Sequence, residues 1–140
     1  MIPRSLLRGS SVKFPTKVVL GEITARDGLQ HEEKTISTRA KLWILEQLIL
    51  AGFKRQEVNN MGSPKGMPQF ADADDVFKAL HESKGVKDKL KDVELTAVTI
   101  REKAADRAIE ARKEGWGPNR IPNPFSAVMK KKLYNISQAE

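Results

Sequence analysis

One short stretch concentrates most of the chemistry in this chain: Glu22-Ile23-Thr24-Ala25-Arg26-Asp27-Gly28-Leu29-Gln30. It follows the apolar run Val18-Val19-Leu20, which has the character of a buried strand. An acid, a guanidinium, a second acid, a glycine and an amide are therefore brought together where a strand should end. Charges at such a place are costly unless they pair, bind a metal or meet a substrate. A second polar segment, Asn59 to Gln69, is rich in turn formers and includes Ser63-Pro64-Lys65. It too follows a short expected strand, around Phe53 to Val58.

The elements that would position these residues alternate in type. Lys17 to Ile23 is expected as a first strand. Ser37 or Thr38 can cap a helix running to Leu50, with Leu42, Leu45, Leu48 and Ile49 at helical spacing and Ala51-Gly52 as its stop. A second strand is expected around Phe53 to Val58. Asp72 or Asp74 can cap a second helix through Val76, Phe77, Leu80 and His81. Val93 to Thr99 is expected as a third strand and Arg101 to Glu114 as a third helix, broken at Gly115-Trp116-Gly117-Pro118. Arg120 and Ile121 would open a fourth strand, with Ser126 to Tyr134 as the loop after it. Such alternation implies parallel strands joined by right-handed crossovers. Chemistry in these folds sits at the carboxyl ends of the strands, where both polar segments fall.

Composition narrows the class. The 140 residues are 39% hydrophobic and 31% charged, with a formal net charge of +7. That is room for one domain with a modest core. No apolar run approaches the ~18 residues of a membrane span. With no cysteine, disulfide scaffolds and thiolate metal sites are excluded, and a reducing compartment such as the cytoplasm is the expected location. Met1 to Lys17 carries Arg4, Arg8, Lys13 and Lys17 without an acid, the pattern of a weak organelle transit peptide, so the mitochondrial matrix is the alternative. The excess lysine around Lys84 to Lys91 and at Lys130 to Lys132 lacks interleaved aromatics, and no nucleic-acid motif is present. His31 and His81 are not spaced as a ligand pair, and Trp43 and Trp116 are expected to pack rather than to stack on bases.

Glu22 to Gln30, with Glu32 beyond, resembles the opening signature of 3-hydroxy-3-methylglutaryl-CoA lyases, members of the metal-dependent (β/α)8-barrel lyases and acyltransferases that share a pyruvate-carboxyltransferase-type domain. Glu57, Ser63-Pro64-Lys65, Pro68-Gln69 and Asp72 are similar, in order and spacing, to that family's second-strand segment. The resemblance is clear from Lys17 to about Leu80 and fainter to Ser126. It implies an α/β fold, the first four β/α units of a TIM barrel, with residues 1–16 as an N-terminal segment and 17–140 as the N-terminal half of the barrel. A full barrel takes roughly 250 residues.

The same resemblance implies roles. Asp27 would be a carboxylate ligand to Mg²⁺ or Mn²⁺. Arg26 would be catalytic, neutralising an enolate, and Glu57 would hold the arginine or the pocket. Gln30, Ser63 and Lys65 would contact substrate, an acyl-CoA or a hydroxy or keto acid. The implied reaction is retro-aldol cleavage of a 3-hydroxyacyl-CoA to acetyl-CoA and a keto acid. In the family, a His-X-His pair and an asparagine complete the metal site, and they have no counterpart here. A homodimer completing the barrel is one expectation. A Claisen-type acyltransferase, an aldolase, or a non-catalytic binding or oligomerisation module remain open alternatives. Read without the resemblance, Arg26–Asp27 is equally a structural ion pair at a tight turn, and Ser63-Pro64-Lys65 a plain turn.

Overall fold

A computed structural model describes residues 14–120 and 123–124. Four parallel strands lie side by side in chain order: β1 (Gly21–Glu22), β2 (Arg55–Asn60), β3 (Glu94–Thr99) and β4 (Asn123–Pro124). The principal helices between them are α1 (Thr38–Leu50), α2 (Ala73–Glu82) and α4 (Glu102–Lys113), with one short extra turn, α3 (Lys87–Leu90). An in-order parallel sheet with helical crossovers is the arrangement expected for the first units of a (β/α)8 barrel.

Local chemistry sets the helix ends. Ser37 is the N-cap of α1, its Oγ accepting from the Ala40 amide at 3.3 Å. At the other end Gly52 takes φ +100°. Its amide donates to Ile49 O at 3.0 Å and that of Phe53 to Leu48 O at 3.2 Å, the paired bonds that close a helix on a left-handed residue. Gly115, at φ +85°, stops α4 in the same manner.

One cluster forms the core: Leu45 and Ile49 of α1, Val58 of β2, Val76, Phe77 and Leu80 of α2, Leu95 and Ala97 of β3, and Ala104, Ala108 and Ala111 of α4. Side chains alternate across a strand. Gln56 pairs with Leu95 and Glu57 with Thr96, so Glu57 lies on the face opposite the Leu95 core. A register shift between Glu57 and Asn59 then returns Asn59 to the core face, where its Nδ2 donates to Ala73 O at 3.0 Å.

Two expectations change. The first strand is only Gly21–Glu22; Val18, Val19 and Leu20 precede it and are exposed, because among the described residues no strand or helix covers them. Trp43 is 61% exposed, because the buried stripe of α1 runs through Lys41, Leu45 and Ile49, and position 43 points away from it. Trp116 does pack against the core, with the Lys78 ammonium 4.6 Å from its ring centre. Of the expected fourth strand and its loop, Ile121 and residues 126–134 lie outside the described residues.

Candidate active site at the mouth of the sheet

β1 is followed by one wide helical turn, Thr24–Gly28, anchored at its start by Glu22 and Ile23. The Glu22 carboxylate accepts from the Thr24 hydroxyl at 2.7 Å and from its amide at 3.1 Å. Ile23 O accepts from the Asp27 amide at 2.7 Å and the Arg26 amide at 3.1 Å. Ala25, buried at 2% exposure, faces the core. The turn thus presents Arg26 and Asp27 in fixed succession just past the carboxyl end of the strand.

Arg26 reaches across to β2. Its Nε donates to Glu57 Oε1 and its Nη1 to Asp27 Oδ1 at 2.6 Å. The side chains of Arg26 and Glu57 are 19% and 14% exposed, whereas that of Asp27 is 47% exposed. Two carboxylates grip one guanidinium, so the trio carries an excess negative charge, and the more open carboxylate is that of Asp27. Among the described residues Arg26 Nη2 has no hydrogen-bond partner. The arrangement is a planar cation held from behind by Glu57, with donor capacity left for an anionic or enolate oxygen.

Among the described residues no hydrogen bond or ion pair joins the other sequence-derived candidates to this trio. Gln30 is half-buried in the helical turn that follows Gly28. Ser63 and Lys65 are exposed in the β2–α2 loop. Ser63 O accepts from the amides of Gly66 at 2.9 Å and Met67 at 3.0 Å, and its Oγ from the Lys65 amide at 3.3 Å. This is the plain turn geometry expected of Ser and Pro.

A divalent hard cation needs about six oxygens, some of them from water. Among the described residues no three His, Cys, Asp or Glu side chains gather as a metal site. Asp27 is one half-exposed carboxylate, and the described residues do not by themselves fit a bound Mg²⁺ or Mn²⁺.

A buried cluster went unforeseen. Lys41, on α1, is only 3% exposed. Its ammonium donates to Asp72 Oδ1 at 2.5 Å and to Gln69 O at 2.6 Å, with the Phe70 ring centre 5.9 Å away. Asp72 occupies the N-cap position of α2, but its side chain turns to Lys41 and to the Thr38 hydroxyl (2.6 Å) instead of capping the helix. The sequence signal was present: Lys41 has the same spacing as Leu45 and Ile49.

At the amino-terminal end of the sheet, Glu94 accepts from Arg55 Nε at 2.6 Å and from Arg120 Nη2. The Arg55 hydrogen bond first, then that of Arg120, holds its carboxyl below the ordinary glutamate range, against a smaller opposing effect of desolvation.

The parallel sheet with its charged trio past β1 has the layout of a partial (β/α)8 barrel, and comparison with known proteins shows which barrels it is similar to. No family model matches the chain. The mitochondrial hydroxymethylglutaryl-CoA lyase of Bos taurus is 35% identical over 83 residues, which is 59% of this chain and 26% of that protein. The crystal structure of hydroxymethylglutaryl-CoA lyase from Pseudomonas aeruginosa superposes with a TM-score of 0.59 at 33% identity, covering 70% of this chain and 30% of that one. A further HMG-CoA lyase structure, in complex with coenzyme A and 3-methylmalate, gives a TM-score of 0.58 at 33% identity over 67% of this chain and 28% of its own. The chain is therefore hydroxymethylglutaryl-CoA lyase-like in sequence and fold, and it spans about a quarter of the length of the curated relatives it matches.

Proposed function

We propose that this chain supplies part of the active site of a carbon–carbon lyase of the hydroxymethylglutaryl-CoA lyase type, cleaving a 3-hydroxyacyl-CoA to acetyl-CoA and a keto acid. The observation that carries the reading is Arg26, gripped by Asp27 and Glu57 past the carboxyl end of β1. In a retro-aldol cleavage a base takes the 3-hydroxyl proton, the C2–C3 bond breaks, and its electron pair becomes the enolate of the thioester. A guanidinium stays charged throughout and offers donors in a fixed plane, which suits that oxygen. Glu57 fixes the Arg26 side chain so that no reorganisation is needed as charge develops. Gln30, Ser63 and Lys65 stand in the two loops at this end of the sheet and are the proposed substrate contacts. The same guanidinium would also serve a Claisen-type acyltransferase or an aldolase, which pass through a related enolate.

Asp27, half-exposed and in a trio with surplus negative charge, is the proposed contribution to a Mg²⁺ or Mn²⁺ site. The remaining ligands must come from outside the described residues, either from further barrel strands or from a second copy of the chain. The cytoplasm is the proposed location and the mitochondrial matrix the alternative. No helix among the described residues is long and apolar enough to cross a membrane.

A second reading, a non-catalytic binding or oligomerisation module, takes the Arg26–Asp27–Glu57 trio as an ion-pair network that only fixes the turn after β1. Titration with Mn²⁺, followed by calorimetry and by the paramagnetic relaxation of water protons, separates the two. Stoichiometric binding that is lost in Asp27→Asn supports the lyase. Failure of the unaltered chain to bind, alone and at concentrations that would populate a dimer, supports the module.

A further inference from the structure

The two loops that bear the candidate site are tied together twice. At their starts, β1 pairs with β2 through Glu22 and Gln56, and Arg26 holds Glu57. At their ends the tie is the buried cluster around Lys41. Thr38 is the first residue of α1, where the β1–α1 loop ends, and Asp72 is the N-cap of α2, where the β2–α2 loop ends. Thr38 Oγ1 donates to Asp72 Oδ2 at 2.6 Å, which joins these two ends directly. The Lys41 ammonium lies behind that bond, shared between Asp72 Oδ1 and the Gln69 carbonyl. Gln69 in turn extends its Nε2 to Glu32 O of the first loop at 3.5 Å, a long contact.

We propose that Lys41 is a positioning residue: through Asp72 and Gln69 it sets the Ser63–Lys65 segment relative to the Arg26–Gln30 turn. A lysine at 3% exposure is an unusual choice for a helix face that packs a core, since leucine or methionine would fill the space without a charge to satisfy. What the ammonium adds is direction. Its N–H groups select one carboxylate oxygen and one backbone carbonyl, so the second loop can leave β2 and enter α2 by one path only. An apolar side chain would pack equally well against several loop conformations. Aligned groups in a site must be held within fractions of an ångström, and the supporting shell provides this.

That the loops enclose a substrate rests on the lyase reading; the mechanical coupling does not, and the experiment separates them. Backbone hydrogen exchange is followed by mass spectrometry on the full chain, comparing unaltered protein with Lys41→Met. The coupling is upheld if amides in residues 61–70 and 29–36 both exchange about tenfold faster while those in β3 and α4 keep their rates. It is overturned if exchange accelerates evenly through β3 and α4, which marks a purely stabilising role, or if the loops keep their rates. Should Lys41→Met fail to fold, Thr38→Val removes only the direct bond between loop ends, and a rise of roughly threefold confined to the same two segments is expected. Coenzyme A is then titrated into both proteins. Binding about tenfold weaker in Lys41→Met links the latch to the substrate site. Absence of binding to the unaltered chain counts against the lyase reading and leaves the exchange result standing.

Discussion

The grip on Arg26 has unequal arms, and this inequality can be measured. Glu57 and Arg26 are both largely shielded, at 14% and 19% side-chain exposure, so their charge-assisted hydrogen bond is expected to contribute roughly 1.5–3 kcal/mol. Asp27 is 47% exposed and adjacent in sequence, so water competes for both partners and the contribution should fall to about 0–1 kcal/mol. Glu57→Ala should therefore lower Tm by roughly 6–12 °C, taking about 4 °C per kcal/mol for a chain of this size. Asp27→Ala should lower it by no more than about 4 °C. Thermal and urea unfolding followed by circular dichroism, extended to a double-mutant cycle with Arg26→Ala, isolates the pair terms. Coupling of about 1–2 kcal/mol is expected for Arg26–Glu57, and less than about 0.5 kcal/mol for Arg26–Asp27. Equal costs for the two single variants, or no measurable Arg26–Glu57 coupling, would refute the view that Glu57 is the structural arm and Asp27 the open one.

Two further outcomes follow from other parts of the molecule. A Cβ on Gly117 would lie 2.5 Å from the Arg112 amide nitrogen and 2.7 Å from the Ala111 carbonyl carbon and Cβ, so Gly117→Ala must push the segment off α4. It should cost more than Gly52→Ala, where nothing lies within 4 Å of the new Cβ and the penalty, roughly 1 kcal/mol, comes from the positive φ alone. Equal Tm losses would contradict this. Glu94 has a lowered pKa when folded, so its contribution to stability is complete above the ordinary value of 4.5 and is lost as pH falls below it through the folded value. Arg55→Gln, which removes the largest cause of the shift, should flatten the acid limb of a stability–pH curve below 4.5 and leave the neutral region nearly parallel to that of the unaltered protein.

Much of the frame was legible from residue order. Ser37, Gly52 and Gly115 act within a few residues of themselves, through caps and left-handed turns, so their positions predict the ends of α1 and α4. Alternation of strand and helix implied parallel strands, because a chain that returns through a helix to the same end of a sheet runs parallel to the strand it left. Arg26 and Asp27 are adjacent, and a turn after β1 was enough to expose them together.

What depended on tertiary structure involves separations that no local pattern encodes. Glu57 meets Arg26 across 31 residues because β1 pairs with β2 in a register that sets Glu22 beside Gln56, which leaves the next β2 side chain on the opposite face. The burial of Lys41 and the exposure of Trp43 were decided by the rotation of α1 against α2 and by an acid at 72 that the helix end did not need for its own cap. Periodicity shows that a helix has an inner face; only packing shows which residue types that face can satisfy. A charge becomes acceptable inside when a partner from a distant segment is already fixed in place to receive it.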